Sequence, residues 1–258
     1  MLKADNISFE VDNKTLLHDT SLTFEPNCFH VIMGANGAGK STILKLLAGS
    51  QHCSGGTVFL HDKKLGHFTT KELATQRAVL SQHYSITFPM TAGDIVMMGR
   101  YPYFSSTPSP LDFSICREAM KLMEAGDLFE RDYGTLSGGE AQKIHMARVL
   151  AQIWEAGRGR EKILFLDEPV SHLDVKYQHQ ILKVAKEFCS KQVTVIAILH
   201  DINLTLTYAD RILFMKQGTI LYETKKAGEV TTTMIKDIFD IDATIIEQGN
   251  GVRPVVVF

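Results

Sequence analysis

Paired cysteines are missing from this 258-residue chain: Cys28, Cys53, Cys116 and Cys189 are scattered and form no Cys-x-x-Cys unit. That spacing suggests neither a zinc site nor a disulfide framework, and isolated thiols in a reducing compartment are the expectation. Long apolar runs are missing too. None approaches the roughly 18 residues a membrane helix needs, and the opening Met1-Leu2-Lys3-Ala4-Asp5-Asn6 has no apolar export character. The chain is expected to be soluble, or held at a membrane by something else. Nor is there a charge imbalance: 27 Lys and Arg face 29 Asp and Glu, a net of −2, which argues against a surface built throughout for nucleic acid. There is no internal repeat and no sustained a/d heptad run. The length suffices for one large α/β domain or two small ones, with ample material for a core.

What is present begins with Gly34-Ala35-Asn36-Gly37-Ala38-Gly39-Lys40-Ser41-Thr42, which fits the phosphate-cradling pattern Gly-x-x-x-x-Gly-Lys-Ser/Thr. The apolar Phe29-His30-Val31-Ile32-Met33 before it reads as a buried strand. Ile43, Leu44, Leu46 and Leu47 after it fall on a helical period. Glycines let such a loop curl until several N–H groups converge on one anion. Lys40 is then placed to reach the β and γ phosphates, and the Ser41 hydroxyl to ligate Mg²⁺. The loop therefore points to nucleotide binding. A second signal is Ile163-Leu164-Phe165-Leu166 ending in Asp167-Glu168-Pro169. Two carboxylates emerge at the carboxyl end of a central strand, where open α/β sheets bind ligands. Asp167 suits Mg²⁺ held through water, and Glu168 suits a base for a water lined up on the γ phosphate.

Around these motifs, Ile7, Phe9, Val11, Leu16, Leu22 and Phe24 alternate with polar residues, and Asp12-Asn13 and Pro26-Asn27 are turn signals. An antiparallel sheet is predicted. A strand at Thr57 to Leu60 follows Ser54-Gly55-Gly56, and a short one runs from Arg77 to Leu80. From about 83 to 150 the pattern is mainly helical, with a Pro/Ser-rich break at Ser105 to Pro110 and a helix from Phe113 through Met123. The runs Lys162 to Leu166 and Val193 to Leu199 suit strands covered on both faces, with a helix from about Val175 to Cys189 between them. A last pair, Arg211 to Met215 and Thr219 to Tyr222, turns at Gln217-Gly218.

Leu136-Ser137-Gly138-Gly139-Glu140, followed by Ala141-Gln142 and a helix from Lys143 to Ile153, makes a likeness specific: the chain resembles an ABC-type ATPase. The resemblance implies an α/β phosphate-loop fold with a RecA-like mixed-sheet core, an N-terminal antiparallel β subdomain and an inserted α-helical subdomain. Residues 1–82 and 154–222 would form the core, 83–153 the helical insert and 223–258 a C-terminal extension. It implies ATP as substrate and Mg²⁺ as cofactor. Gly34, Asn36, Gly37, Ala38, Gly39, Lys40, Ser41 and Thr42 would cradle the phosphates. Ser137, Gly138, Gly139 and Glu140 would face the γ phosphate held by a second, head-to-tail copy, as suits a helix N-terminus. Glu168, Gln82 and His200 would act on the attacking water and γ phosphate. Ser41, Gln82 and, through water, Asp167 would hold the metal, and the Asp174 loop would cross the dimer seam. Three positions depart from the family pattern: Val11 where an aromatic ring often meets adenine, Val170 where Thr is usual, and His172 where a small residue is common.

Finer features resemble the ATPases of bacterial haem and iron-siderophore importers: Ala78 to His83, Phe88-Pro89-Met90-Thr91 and Met98-Gly99-Arg100-Tyr101-Pro102. Gln178-His179-Gln180 and the linker Trp154 to Lys162 look most like the haem branch, with siderophore or cobalamin uptake as the runner-up. The resemblance implies two permease subunits as partners, a periplasmic binding protein indirectly, no nucleic acid, and a peripheral place on the cytoplasmic face of the inner membrane. Met97, Met98, Tyr101, Tyr103 and Phe104 are candidates for a groove that takes a helix of the membrane partner. Soluble ABC ATPases of DNA repair or translation are the alternative from another class. The missing coiled coil and the single ATPase unit speak against both, and Glu168 speaks against a binding-only regulator.

Overall fold

The computed structural model describes residues 1–82, 84, 86, 88–155, 161–171, 173–247 and 253–258. His83, His172 and most of the 154–162 linker, named above for family likeness or departure, lie outside these. In chain order the strands are β1 (Leu2–Val11), β2 (Lys14–Phe24), β3 (Phe29–Gly34), β4 (Gly55–Leu60), β5 (Lys63–Lys64), β6 (Arg77–Leu80), β7 (Lys162–Asp167), β8 (Val193–Ile198), β9 (Arg211–Lys216), β10 (Thr219–Thr224), β11 (Thr244–Ile246) and β12 (Val255–Val257). The α-helices are α1 (Lys40–Leu47), α2 (Thr70–Gln76), α3 (Ala92–Met97), α4 (Pro110–Leu122), α5 (Gly138–Ile153), α6 (Val175–Cys189), α7 (Ile202–Tyr208) and α8 (Thr232–Phe239). The chain divides into two compact units, Met1–His67 with Thr194–Phe258, and Phe68–Val193.

In the first unit an antiparallel sheet runs in the order β2-β1-β4-β5. Its alternation holds at Ile7 and Phe9, which are buried, and ends at Val11, which stands on the same face by register but is 43% exposed where the strand meets its turn. In a second sheet β3 lies parallel to both β8 and β9, and β10 pairs antiparallel with β9. Every residue of β3 and β8 is buried, as expected of strands covered on both faces. Beyond β10, where the sequence marks no element, lie α8 and the antiparallel pair β11/β12. β12 is fastened to α7: Asn203 donates to Val256 O at 3.0 Å and accepts from Val256 N at 2.8 Å, while Arg253 donates to Leu206 O at 2.7 Å.

In the second unit β6 lies parallel to β7, and α5 packs against α3 and α4. α4 starts where its proline permits, with Pro110 at the first turn and Ser109 and Asp112 forming a reciprocal cap. α2, which no apolar period marks, opens on the same reciprocal cap, Thr69 with Glu72. Arg100, 1% exposed, is satisfied by Asp112, Glu155 and the Ala151 carbonyl at 2.8–2.9 Å, as a buried cation requires. Of the five candidate groove residues, Met97 is 8% exposed and Tyr103 turns inward to donate to Gln152 O at 2.6 Å. Tyr101 is 54% exposed and meets Phe104 edge-on.

Candidate nucleotide site

β3 delivers the phosphate loop and α1 receives it. At Gly34 a Cβ would stand 2.2 Å from the Met215 carbonyl oxygen, so the close approach of β9 admits only glycine. Gly39, the residue before α1, has φ 96°, and a Cβ there would meet Leu16 O at 2.7 Å. Both a left-handed backbone and a crowded neighbour select glycine. The β9/β10 turn braces the loop, Gly218 N donating to Ala38 O and Gly218 O accepting from His18 N, each at 2.9 Å. Lys40 is 6% exposed, and its ammonium donates to Gly34 O and Ala35 O at 2.9 Å. No side chain caps the first turn of α1. Its N–H groups thus lie at the positive end of a helix beside a cation, an arrangement that suits a phosphate.

In the same unit His200 follows β8. Asp201 then caps α7, accepting from Asn203 N and Leu204 N at 2.7 and 2.9 Å, as an aspartate just ahead of a helix can. His200 and Asp201 line a cavity of about 490 Å³ with Asn203, Phe239, Ile241 and Phe258.

In the second unit β7 ends on Asp167, 5% exposed, and the chain then turns sharply: Glu168 has φ 51°. A left-handed backbone at a non-glycine costs on the order of 1 kcal/mol and tends to occur at working sites. The Glu168 carboxylate accepts from Gln82 Nε2 at 2.7 Å and from Ser171 Oγ at 3.2 Å. Two residues singled out separately in the sequence, 86 positions apart, are thereby brought together. Ser171 was not foreseen, and no local pattern marks it.

Ser137 is the N-cap of α5, which begins at Gly138 rather than at the predicted Lys143. Its hydroxyl and N–H both donate to Glu140 Oε2 at 2.8 Å, and Glu140 N donates back to Ser137 Oγ at 3.3 Å. The Ser137 N–H, its hydroxyl and then Arg131 hold the Glu140 carboxyl below its usual range. Asp174 caps α6 by accepting from Tyr177 N at 3.1 Å. Ser137, Glu140, Lys143, Asp174 and Tyr177 share one cleft of about 330 Å³. Gln142, which was not assigned a role, donates to Pro169 O at 2.9 Å and links α5 to the turn after Glu168.

A glycine loop between a buried strand and a helix, and an acidic pair at the end of a second buried strand, define a phosphate-loop nucleotide-binding protein. Residues 17–171 match the family description of the ABC transporter, and the chain belongs to that family. It is 38% identical over 257 residues to the hemin import ATP-binding protein HmuV of Methylobacillus flagellatus, covering 99% of this chain and 95% of the relative. Identity to the protein of the same name from Hahella chejuensis is 38%, covering 99% of both chains. Against that of Escherichia coli O157:H7 it is 33%, covering 100% and 99%. Among solved structures, a metal-chelate type ABC transporter in an inward-facing conformation superposes with a TM-score of 0.81 at 22% identity, covering 99% of this chain and 96% of the other. The ATP-binding cassette MJ0796, dimeric in a post-hydrolysis state with ADP and Pi, gives a TM-score of 0.76 at 24% identity, covering 87% and 98%. The fold is the expected α/β one, with mixed sheet, antiparallel β sheet and helices.

Proposed function

We propose that the chain is the ATP-hydrolysing subunit of a bacterial haem importer, acting as a head-to-tail pair beneath two permease subunits at the cytoplasmic face of the inner membrane. Among the described residues no helix is long and apolar enough to cross a membrane, so the membrane path would belong to other chains, with a periplasmic binding protein beyond them. The observation that carries the hydrolytic reading is the Gln82–Glu168 contact at the end of β7. It aims an amide and a carboxylate at one spot, the pair needed to orient a water and take its proton. Lys40 and the first turn of α1 hold the phosphates, and His200 contacts the γ phosphate. The donor set of Ser41, Gln82 and water-linked Asp167 suits Mg²⁺, a hard cation with a preference for oxygen; when bound it would neutralise charge developing on the phosphates. Ser137 to Glu140 would close on the nucleotide of the second copy, with Asp174 at the seam.

The haem cargo is supported by relatives of matching length that carry that name. Uptake of labelled haem against a ferric siderophore and cobalamin, into vesicles holding the complete complex and ATP, tests it. Haem accumulation that stops in the Glu168→Gln complex is expected. Accumulation of siderophore or cobalamin alone would overturn the cargo assignment.

A further inference from the structure

We infer that Tyr84 and His145 form a positioning couple, through which the helix that begins at Ser137 sets where Gln82 meets Glu168. The inference rests on the proposed hydrolytic function and assigns a task to residues outside the site described above.

Two residues beyond Gln82, the Tyr84 hydroxyl accepts the Ser81 N–H. This closes the turn that carries Gln82, whose amide leaves it to reach Glu168 at 2.7 Å. The Tyr84 ring lies nearly flat on the His145 imidazole of α5, with centroids 3.8 Å apart and planes 18° from parallel. His145 Nε2 is 2.7 Å from the Tyr133 hydroxyl, and Tyr133 O accepts Leu136 N at 3.1 Å, immediately before Ser137. Contacts therefore run in series from Glu168 through Gln82, Tyr84 and His145 to the entry of α5.

Two further observations mark the stack as more than space filling. His145 is 3% exposed, and burial, reinforced by the Arg148 charge, pushes its pKa down to about 3. The imidazole is thus neutral at physiological pH and meets Tyr84 as an aromatic face. Arg148, three residues along the same helix, sets its guanidinium carbon 4.8 Å from the Tyr84 ring centroid. Its buried Nε and Nη2 have no hydrogen-bond partner among the described residues, so ring contact is a main resource for that cation. Two side chains of α5 thereby grip one ring of the Gln82 turn. Parting α5 from this ring would forfeit both the stacking and the cation–ring contact, so a rotation of α5 would carry the turn with it.

The test uses the purified full-length chain, measuring kcat and KM for ATP together with the thermal midpoint. Tyr84→Leu, which removes the ring, is expected to lower kcat by about 10- to 100-fold, the scale on which a misplaced group slows a reaction. KM should stay within about twofold. Tyr84→Phe keeps the ring on His145 and loses only the hydroxyl that accepts the Ser81 N–H, so its kcat should lie between those of Tyr84→Leu and wild type. His145→Leu should resemble Tyr84→Leu, and the double variant should be no slower than either single, as for two halves of one contact. Wild-type kcat in Tyr84→Leu, a Tyr84→Phe as slow as Tyr84→Leu, or fully additive losses would each overturn the couple. So would a drop in thermal midpoint with kcat unchanged. A wild-type chain that hydrolyses no ATP would instead overturn the proposed function.

Discussion

Glu168 combines a left-handed backbone, a carboxylate gripped by Gln82 and Ser171, and a position directly after a buried strand. Glu168→Gln keeps the shape and removes the basicity. Hydrolysis should slow by about 10²- to 10⁴-fold, the usual share of a general base, while ATP binding measured by calorimetry persists. Turnover at the wild-type rate would assign the base elsewhere. At this scale the sequence was most legible where chemistry is written locally. Gly34 to Thr42 and Asp167-Glu168 are contiguous patterns, and glycine at 34 and 39 is dictated by neighbours a few ångströms away. The Gln82–Glu168 bond joins positions 86 apart, and a tyrosine in a loop gives no sign of the ring it will cover. Met97 shows the opposite limit, since a methionine near a suspected groove serves equally well in the core, where it is found.

Among the elements, α5 carries an electrostatic liability in His145. A histidine in the unfolded chain titrates near 6.5, whereas His145 in place titrates at about 3. Above pH 6.5 both forms are neutral and the burial costs nothing extra. As the pH falls below 6.5 the unfolded chain takes up a proton that the folded one refuses, so stability drops continuously until about pH 3. Between pH 7 and 5 the loss from this group alone amounts to about 2 kcal/mol. His145→Phe, which cannot titrate but still stacks, should flatten that part of the profile in urea denaturation; an unchanged slope would place the acid sensitivity on other groups. Strands and long helices were visible from periodicity. The start of α5 was placed five residues late because glycines at its first two positions weigh against helix, and the reciprocal Ser137/Glu140 cap overrides them. α2 buries only Leu73, too little for a period to show, and α8, as short as α1, has no motif beside it to mark it.

For the molecule as a working pair, the commitment of Ser137 to Glu140 matters most. In the proposed closed pair that hydroxyl and helix end would face a phosphate carried by the second copy. Ser137→Arg places a bulky cation there, so each chain should still bind ATP while pairing fails. In a Glu168→Gln background, light scattering with ATP should report dimers for the parent and monomers for the Ser137→Arg variant. Dimers in both would remove the head-to-tail arrangement.

The β12 strand bears on how such experiments are built. Its two-way grip on Asn203, together with Arg253 on Leu206, ties the far end of the chain to the helix that directly follows His200 and Asp201. Trimming Val255 to Phe258 would therefore strip Asn203 of both backbone partners and loosen the helix entry beside His200 and Asp201.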